Sequence, residues 1–333
     1  MLRTMKRVAV TGAAGHVGAN LVRELLVRGY RVAVLVRKSD RALEGLDVER
    51  HNGDVLNPDS LRRAFAGAEQ VYHLAAHVTI QSGEWKKLRS VNVEGTSNVL
   101  RACCHEGVST LVHFSSIHAL DMLPLGRSVT EDNRLLAEGE GSEYDRSKAL
   151  SERLVRGNDC ESLSTRIIYP TAVIGPNDFN QSLTGQAIGQ MASGRLPVLV
   201  QGGFDWVDAR DVAAGAIDAA ENGADGDRYI LSGHYRSVAE LARVVSGLSG
   251  VRAPLLTIPP WLAGLFTPLM AGWAGLRGEE PLYTRDSLAT LKANPDVSHA
   301  LASETRGYRP RPVADSIEDA LAAAGYVIKR DGV

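Results

Sequence analysis

The chain has 333 residues, 44% apolar and 23% charged, with 37 basic against 39 acidic side chains and a formal net charge of −2. That balance describes a globular chain of two domains, or one large domain with an appended lobe, and excludes disordered and fibrous architectures. It leaves no basic field to draw nucleic acid or an anionic membrane, so neither is expected as a partner.

In chain order, residues 7–10 form a short β-branched run, followed at once by Thr11-Gly12-Ala13-Ala14-Gly15-His16-Val17-Gly18. Residues 19–28 have helical periodicity, with Leu21, Val22, Leu25 and Leu26 on one side, and Gly29 closes the helix. Strands are predicted at 31–36 and 48–51, then a short helix at 59–65 that Pro58 opens. A strand at 71–74, a long helix at 84–105, a strand at 110–114, a helix at 141–156 and a strand at 164–169 complete the regular part. Short, continuously apolar strands alternating with longer helices indicate a parallel sheet covered on both faces. The predicted fold is α/β, a Rossmann-type doubly wound sheet. After Pro170 the pattern loosens into Pro- and Gly-rich segments, read as a smaller, partly interleaved lobe.

Cys103, Cys104 and Cys160 show neither CxxC nor Cys/His zinc spacing, so no metal is expected, and they read as small thiols in a reducing cytosol. No signal peptide fits ahead of Val8, and Pro254, Pro259, Pro260 and Pro268 break the one long uncharged stretch, 253–276. The expectation is a cytoplasmic protein without a membrane span.

Glycine is the compositional outlier, 33 of 333, about a tenth against an average near 7%. Three of these are placed. Gly12, Gly15 and Gly18 give G-x-x-G-x-x-G between a strand and an amphipathic helix. Glycine there permits the tight turn, lets backbone N–H groups approach a pyrophosphate, and lets the helix pack close to the strand. Ala14, His16 and Val17 share that loop. The dinucleotide's identity depends on the end of the second strand, where an acid suits NAD and arginine suits a 2′-phosphate. Arg37 and Lys38 stand at the strand end and Asp40 lies beyond it, which predicts NADP over NAD. Residues 1–175, with returns near 205–231, then form the NAD(P)-binding domain, and 176–204 with 232–320 the substrate-binding lobe.

Tyr144-Asp145-Arg146-Ser147-Lys148 is Y-x-x-x-K on a predicted helix, so tyrosine and lysine share a face. An ammonium beside a phenol favours the phenolate, tuning it for proton exchange with a carbonyl or alcohol oxygen. Ser115-Ser116 ends the fifth strand, where hydroxyls point into the crevice in which this fold binds ligands.

These features resemble the extended short-chain dehydrogenase/reductase family, within the NAD-dependent epimerase/dehydratase superfamily. The matching segments are Thr11–Gly18, Asp54-Val55, His73-Leu74-Ala75-Ala76, Asn92-Val93-Glu94-Gly95-Thr96, Phe114-Ser115-Ser116, Tyr144–Lys148, the run from Tyr169 to Pro176, and the run from Trp206 to Val212. Arg37 and Gly307-Tyr308-Arg309-Pro310 look most like the branch holding dihydroflavonol-4-reductase-like, hopanoid-associated epimerase-like and 3β-hydroxysteroid dehydrogenase-like proteins. The resemblance implies that Tyr144 is the proton donor and acceptor, and that Lys148 binds the nicotinamide ribose and lowers the Tyr144 pKa. Ser116, in preference to Ser115, would hold the substrate oxygen. Asp54 and Val55 would meet the adenine, Leu74, Ala75 and Ala76 the pyrophosphate and ribose, and Pro170, Thr171 and Val173 the nicotinamide carboxamide. Asn92 would be structural or relay protons through water. Tyr169 departs from the arginine common before that proline.

His77, His118 and Asn177 are the candidate substrate contacts, beside Ala119, Leu120 and Met122 of the loop after Ser116. The 253–276 stretch, with Trp261, Leu262, Leu265, Phe266, Leu269, Met270 and Trp273, reads either as a core helix of the small lobe or as an apolar cover for a bulky substrate. It holds no Arg/Lys cluster for a sugar phosphate. The expected activity is NADP-dependent hydride transfer to or from a ketone or secondary alcohol of a hydrophobic, cyclic small molecule, by Ser116, Tyr144 and Lys148. The alternative is a nucleotide-sugar epimerase or dehydratase. The resemblance also implies a homodimer through the 84–105 and 141–156 helices, with Leu88, Val91, Val99 and Leu100 as a candidate apolar face.

Overall fold

The computed structural model describes residues 5–38, 40–265, 291 and 294–329. Seven parallel strands form the main sheet: β1 (Arg7–Thr11), β2 (Arg31–Val36), β3 (Glu49–Asn52), β4 (Gln70–His73), β5 (Thr110–Phe114), β6 (Ser164–Pro170) and β10 (Asp227–Leu231). Their spatial order is β10-β6-β5-β4-β1-β2-β3, with Val10 of β1 in register with Val34 of β2 and Tyr72 of β4. The order reverses between β1 and β4. In doubly wound sheets that point opens the ligand crevice at the carboxyl ends of the strands.

One face of the sheet is covered by α1 (His16–Val27) and α7 (Ala209–Asn222), the other by α2 (Pro58–Phe65), α4 (Gly95–Glu106) and α5 (Glu143–Arg156). Side chains of β1 alternate between the two cores: Val8 and Val10 join the first, Ala9 the second. Local chemistry supports the starts of α2 and α5. Asn57 caps α2 ahead of Pro58, and Ser142 with Asp145 forms a reciprocal capping box at α5. The long helix expected over 84–105 is α3 (Trp85–Leu88) followed by α4, joined through a wider π-type turn at Arg89–Glu94.

After β6 the chain turns through β7 (Ala172–Ile174), α6 (Leu183–Ala192), β8 (Val198–Val200) and β9 (Gly203–Asp208). β11 (His234–Ser237), α8 (Val238–Ser249) and β12 (Leu256–Ile258) follow β10. β9 is flanked by β7 and β11, and β12 pairs with β8. A third core joins Ile174, Ile188, Met191, Leu199, Trp206 and Leu241 to Val313, Ile317 and Leu321 of α10 (Val313–Ala323). Residues of α9 (Ala300–Arg306) and Tyr308 pack instead in the first sheet core, and the Tyr308 hydroxyl donates to the Ser232 carbonyl (2.9 Å). Arg311, between these two helices, pairs with Asp211 of α7 at 2.7 Å.

Two expectations are corrected. Cys104 and Cys160 stand as a disulfide between α4 and the loop after α5, with Cα atoms 6.2 Å apart, while Cys103 is a buried free thiol. A pairing across 56 residues of sequence depends on α4 and α5 packing side by side, which spacing does not reveal. Leu88, Val91, Val99 and Leu100 are buried inside the protomer and cannot also form an exposed dimer face. Phe266, Leu269, Met270 and Trp273 lie outside the described residues. Trp261 and Leu265, within them, are exposed, and Ala263 is buried. Among the described residues, no helix is long and apolar enough to cross a membrane, and no group of His, Cys, Asp or Glu could hold a metal ion.

Candidate active site

The turn between β1 and α1 is shaped for an anionic ligand. Gly12 adopts φ +74°, and a Cβ there would come within 2.6 Å of the Ala75 backbone nitrogen. A Cβ on Gly18 would overlap the Gly12 carbonyl oxygen, so α1 passes too close to the turn for any side chain. Gly15 caps α1 without a side-chain acceptor, and no acid stands in the first turn. Intrahelical bonding begins with Ala19 N–H to the Gly15 carbonyl (2.8 Å). The preceding N–H groups and the positive end of the helix thus face the crevice, the arrangement that suits a pyrophosphate. His16 turns its ring away from the turn, Nε2 donating to the carbonyls of Gly175 (3.2 Å) and Pro176 (3.1 Å). Across the switch point, Ala75 N–H donates to the Thr11 hydroxyl (3.3 Å).

At the tip of β2, Arg37 and Lys38 are exposed, and the Arg37 guanidinium lies 3.9 Å from Asp54. Asp40 is engaged by Arg50 (3.1 Å). The remaining cationic groups at the tip face solvent beside Asp54 and the buried Val55.

The catalytic candidates meet on the far side of the crevice. Ser116 and Tyr144 both line the cavity on this side. Burial of the Tyr144 phenol pushes its pKa up to about 12, partly offset by the nearby Ser116 hydroxyl. The charge of Asp145 adds to the rise. Lys148 donates to the Phe114 carbonyl (2.6 Å), and burial lowers its pKa to about 8, with Glu152 acting in the opposite direction. Ser115 points elsewhere, its hydroxyl donating to Glu152 (2.5 Å), whereas Ser116 lines the cavity. Tyr169 is fully buried against α5, donating to Glu152 (2.5 Å), so it does not take the substrate-side place.

Asn92 is a clamp. Its amide accepts from His77 N–H (2.7 Å) and donates to the His77 carbonyl (3.0 Å) and to Ser147 (2.9 Å), tying the loop after β4 to α5. Below it, Thr96 donates to the Asn92 carbonyl (2.6 Å), so it accepts from His73 Nε2 (3.0 Å), and His73 Nδ1 accepts from Thr11 (2.8 Å). Burial holds this neutral imidazole at about 3.

A cavity of about 310 Å³ opens at Ser116 and Tyr144. Its apolar wall includes Val78, Ile80, Leu183, Met191, Phe204 and Leu241, and its ionisable lining is His118, Glu143, Tyr144 and Asp145. Of the substrate candidates only His118 reaches it. His77 is held by Glu84 (2.7 Å), and Val78, Thr79, Ile80 and Gln81 take its place. Asn177 adopts φ +64°, bonds Asn20 (2.9 Å) and lines a separate polar cleft on the other side of α6. Ala119 is buried, Leu120 lies in the second core, and Met122 packs against it. Phe204, Val238 and Leu241 also line the cavity, reaching it from β9 and α8, and no local sequence pattern marks them; Trp206, which opens a family-like segment, lines it from β9 too.

Sheet order, glycine turn and the serine–tyrosine–lysine grouping together define a nicotinamide-dinucleotide enzyme of the doubly wound class. Residues 8–232 match the family model described as NAD dependent epimerase/dehydratase family, and the chain belongs to that family. It is 40% identical over 255 residues to the sterol demethylase protein B of Methylococcus capsulatus, covering 76% of this chain and 77% of the relative. It is 29% identical over 336 residues to the 3-beta-hydroxysteroid dehydrogenase of Mycolicibacterium neoaurum, covering 93% and 88%. The crystal structure of gox2253 superimposes with a TM-score of 0.82 at 33% identity, over 96% of this chain and 97% of that one. MoeE5 in complex with UDP-glucose and NAD shares the fold at 20% identity, with a TM-score of 0.75 over 96% and 98%.

Proposed function

We propose that this chain moves a hydride between NADP, used in preference to NAD, and a ketone or secondary alcohol on a neutral, hydrophobic, cyclic small molecule. One observation carries the substrate class. The cavity that receives Ser116 and Tyr144 is walled mainly by apolar side chains, and among the described residues neither Lys nor Arg lines it. A diphosphate or a coenzyme A tail would need cationic partners there, and Glu143 with Asp145 would oppose them. Relatives named for sterols and 3-beta-hydroxysteroids agree with an apolar ring system. The volume falls within the ordinary range for small-molecule sites.

The residues divide the work as follows. The N-terminal turn of α1 and Gly12, Gly15 and Gly18 hold the pyrophosphate, with Ala14, His16 and Val17 alongside. Asp54 and Val55 meet the adenine, Arg37 and Lys38 the 2′-phosphate, and Leu74, Ala75 and Ala76 the ribose side. Pro170, Thr171 and Val173 flank the nicotinamide, and residues 176–204 and 232–320 supply the substrate side. Bound there, the nicotinamide supplies or accepts the hydride. Ser116 positions the substrate oxygen by hydrogen bonding. Tyr144, neutral at working pH because its phenol is buried, gives that oxygen its proton during reduction and takes it back during oxidation. Lys148, charged below about pH 8, stabilises the phenolate that remains. We also propose a homodimer, by resemblance to the family, with the mass in solution as its check.

The test is a panel of cyclic ketones and alcohols assayed with NADPH, NADH and their oxidised forms. Turnover of apolar ketones with NADPH supports the reading. Retained NAD with epimerisation of a nucleotide sugar and no net ketone reduction would replace it with the epimerase alternative.

A further inference from the structure

On α5, Tyr144, Lys148, Glu152 and Arg156 recur every fourth residue and so stack on one face. The first two are the proposed catalytic pair, and the third has no assigned role. Glu152 is fully buried. Its carboxylate accepts from Ser115 (2.5 Å), from Tyr169 (2.5 Å) and from Arg156 (2.6 Å). Arg156 also donates to Tyr169 (2.9 Å), and its side chain reaches solvent. We propose that Glu152 is a positioning residue of this active site, which holds the Lys148 ammonium by its charge and the Ser115–Ser116 strand end by its hydrogen bond.

Among the described residues, the charges around Lys148 leave this carboxylate as its one anionic support. From β4 and β5, His73 and His113 face it as neutral imidazoles, both held far below the usual histidine range by burial, with Lys148 itself adding to the effect. From the π-type turn and α4, Asn92 and Thr96 bring only neutral groups to this region. The Phe114 carbonyl accepts from the ammonium but carries no charge. On α5 itself, Tyr144 is neutral, and Asp145 acts on Tyr144. Glu152 is the partner that raises Lys148 against its desolvation. On the other side, Glu152 is offset by Arg156 alone among the charged groups it bonds. A buried ammonium without such a partner would shed its proton. Ser115 matters because it is the residue before Ser116. Fixing the Ser115 side chain on the α5 side leaves Ser116 pointing across the strand toward the cavity.

The experiment uses the whole protein with lysine-selective ¹³C labelling, the Lys148 signal being assigned by its loss in Lys148→Met. The Lys148 titration midpoint should fall by about 1 pH unit or more in Glu152→Gln. Glu152→Asp should restore most of that shift. Arg156→Met, which removes the counter-charge of Glu152, should move the midpoint up. If Glu152→Gln does not fold, the upward shift in Arg156→Met decides the matter. Ser115→Ala should leave the midpoint in place and lower kcat several-fold with KM little changed. A folded Glu152→Gln with an unaltered midpoint overturns the proposal, and so does an Arg156→Met midpoint that stays or falls. The role rests on the Tyr144–Lys148 reading, yet the titration needs no substrate. Failure to find a turned-over ketone therefore leaves this result readable by itself.

Discussion

The two halves of the crevice are built by opposite means. On the side proposed for the dinucleotide, one continuous stretch from Thr11 to Gly18 makes the surface largely from backbone, and at Gly12 and Gly18 a Cβ would strike the chain itself. On the substrate side, the surface is made of side chains drawn from the loop after β4, from α5, α6, β9 and α8, and from Leu291. A backbone surface tolerates almost no change of residue at its few fixed points. A side-chain surface can be altered at many points with modest effect, which is how one fold serves many substrates.

That contrast can be broken or sharpened by substitution. The largest effect is expected where chemistry joins the two halves. Tyr144→Phe should lower turnover by about 10²–10⁴-fold, the usual worth of a positioned acid or base. Cofactor binding, followed by quenching of tryptophan fluorescence, should persist. On the backbone side, Gly12→Ala adds a methyl against Ala75 N at 2.6 Å and a strained φ of +74°, costing about 2–5 kcal/mol. A marked fall in Tm together with loss of dinucleotide binding is expected, and an unaffected Tm would refute the account of the turn. At the rim, Arg37→Asp should reduce the NADP/NAD ratio of kcat/KM by about 10–100-fold, the value of a charged hydrogen bond. An unchanged ratio would remove Arg37 from cofactor selection. The pH profile should be asymmetric. Lys148 loses its proton near pH 8, so reduction should decline as pH rises through that value. Oxidation needs the phenolate of Tyr144, held up at about 12, and should rise with pH over the same range. The smallest effect belongs to the side-chain wall. Leu183→Asp, in the first turn of α6, should raise KM for apolar ketones about 10-fold by lost burial with little change in Tm.

The same contrast explains what the amino-acid sequence discloses. The doubly wound sheet, the glycine turn and the Ser116–Tyr144–Lys148 grouping were legible because each depends on local spacing or on strand and helix periodicity. His77 and Asn177 were drawn to the cavity by their place in the chain. The structure instead commits them to Glu84 and Asn20, partners reached only through tertiary packing. Phe204 and Leu241 carry no such sign for the complementary reason, since nothing in their neighbourhoods distinguishes a cavity wall from a core. Glu152 had a signal that went unused: it continues the four-residue spacing of Tyr144 and Lys148 by one further turn.

The crossing of the chain's last helices between cores has a consequence for how the molecule is made. Ala302 and Tyr308 complete the core beneath α7, whereas Val313, Ile317 and Leu321 complete the core beneath α6 and α8. The ribosome releases these residues after all seven strands, so neither core acquires its final apolar surface until the sheet's strands have all been made. The ion pair of Arg311 with Asp211 lies between the two insertions and joins their fates. A single cooperative melting transition follows from this arrangement, with neither lobe outlasting the other.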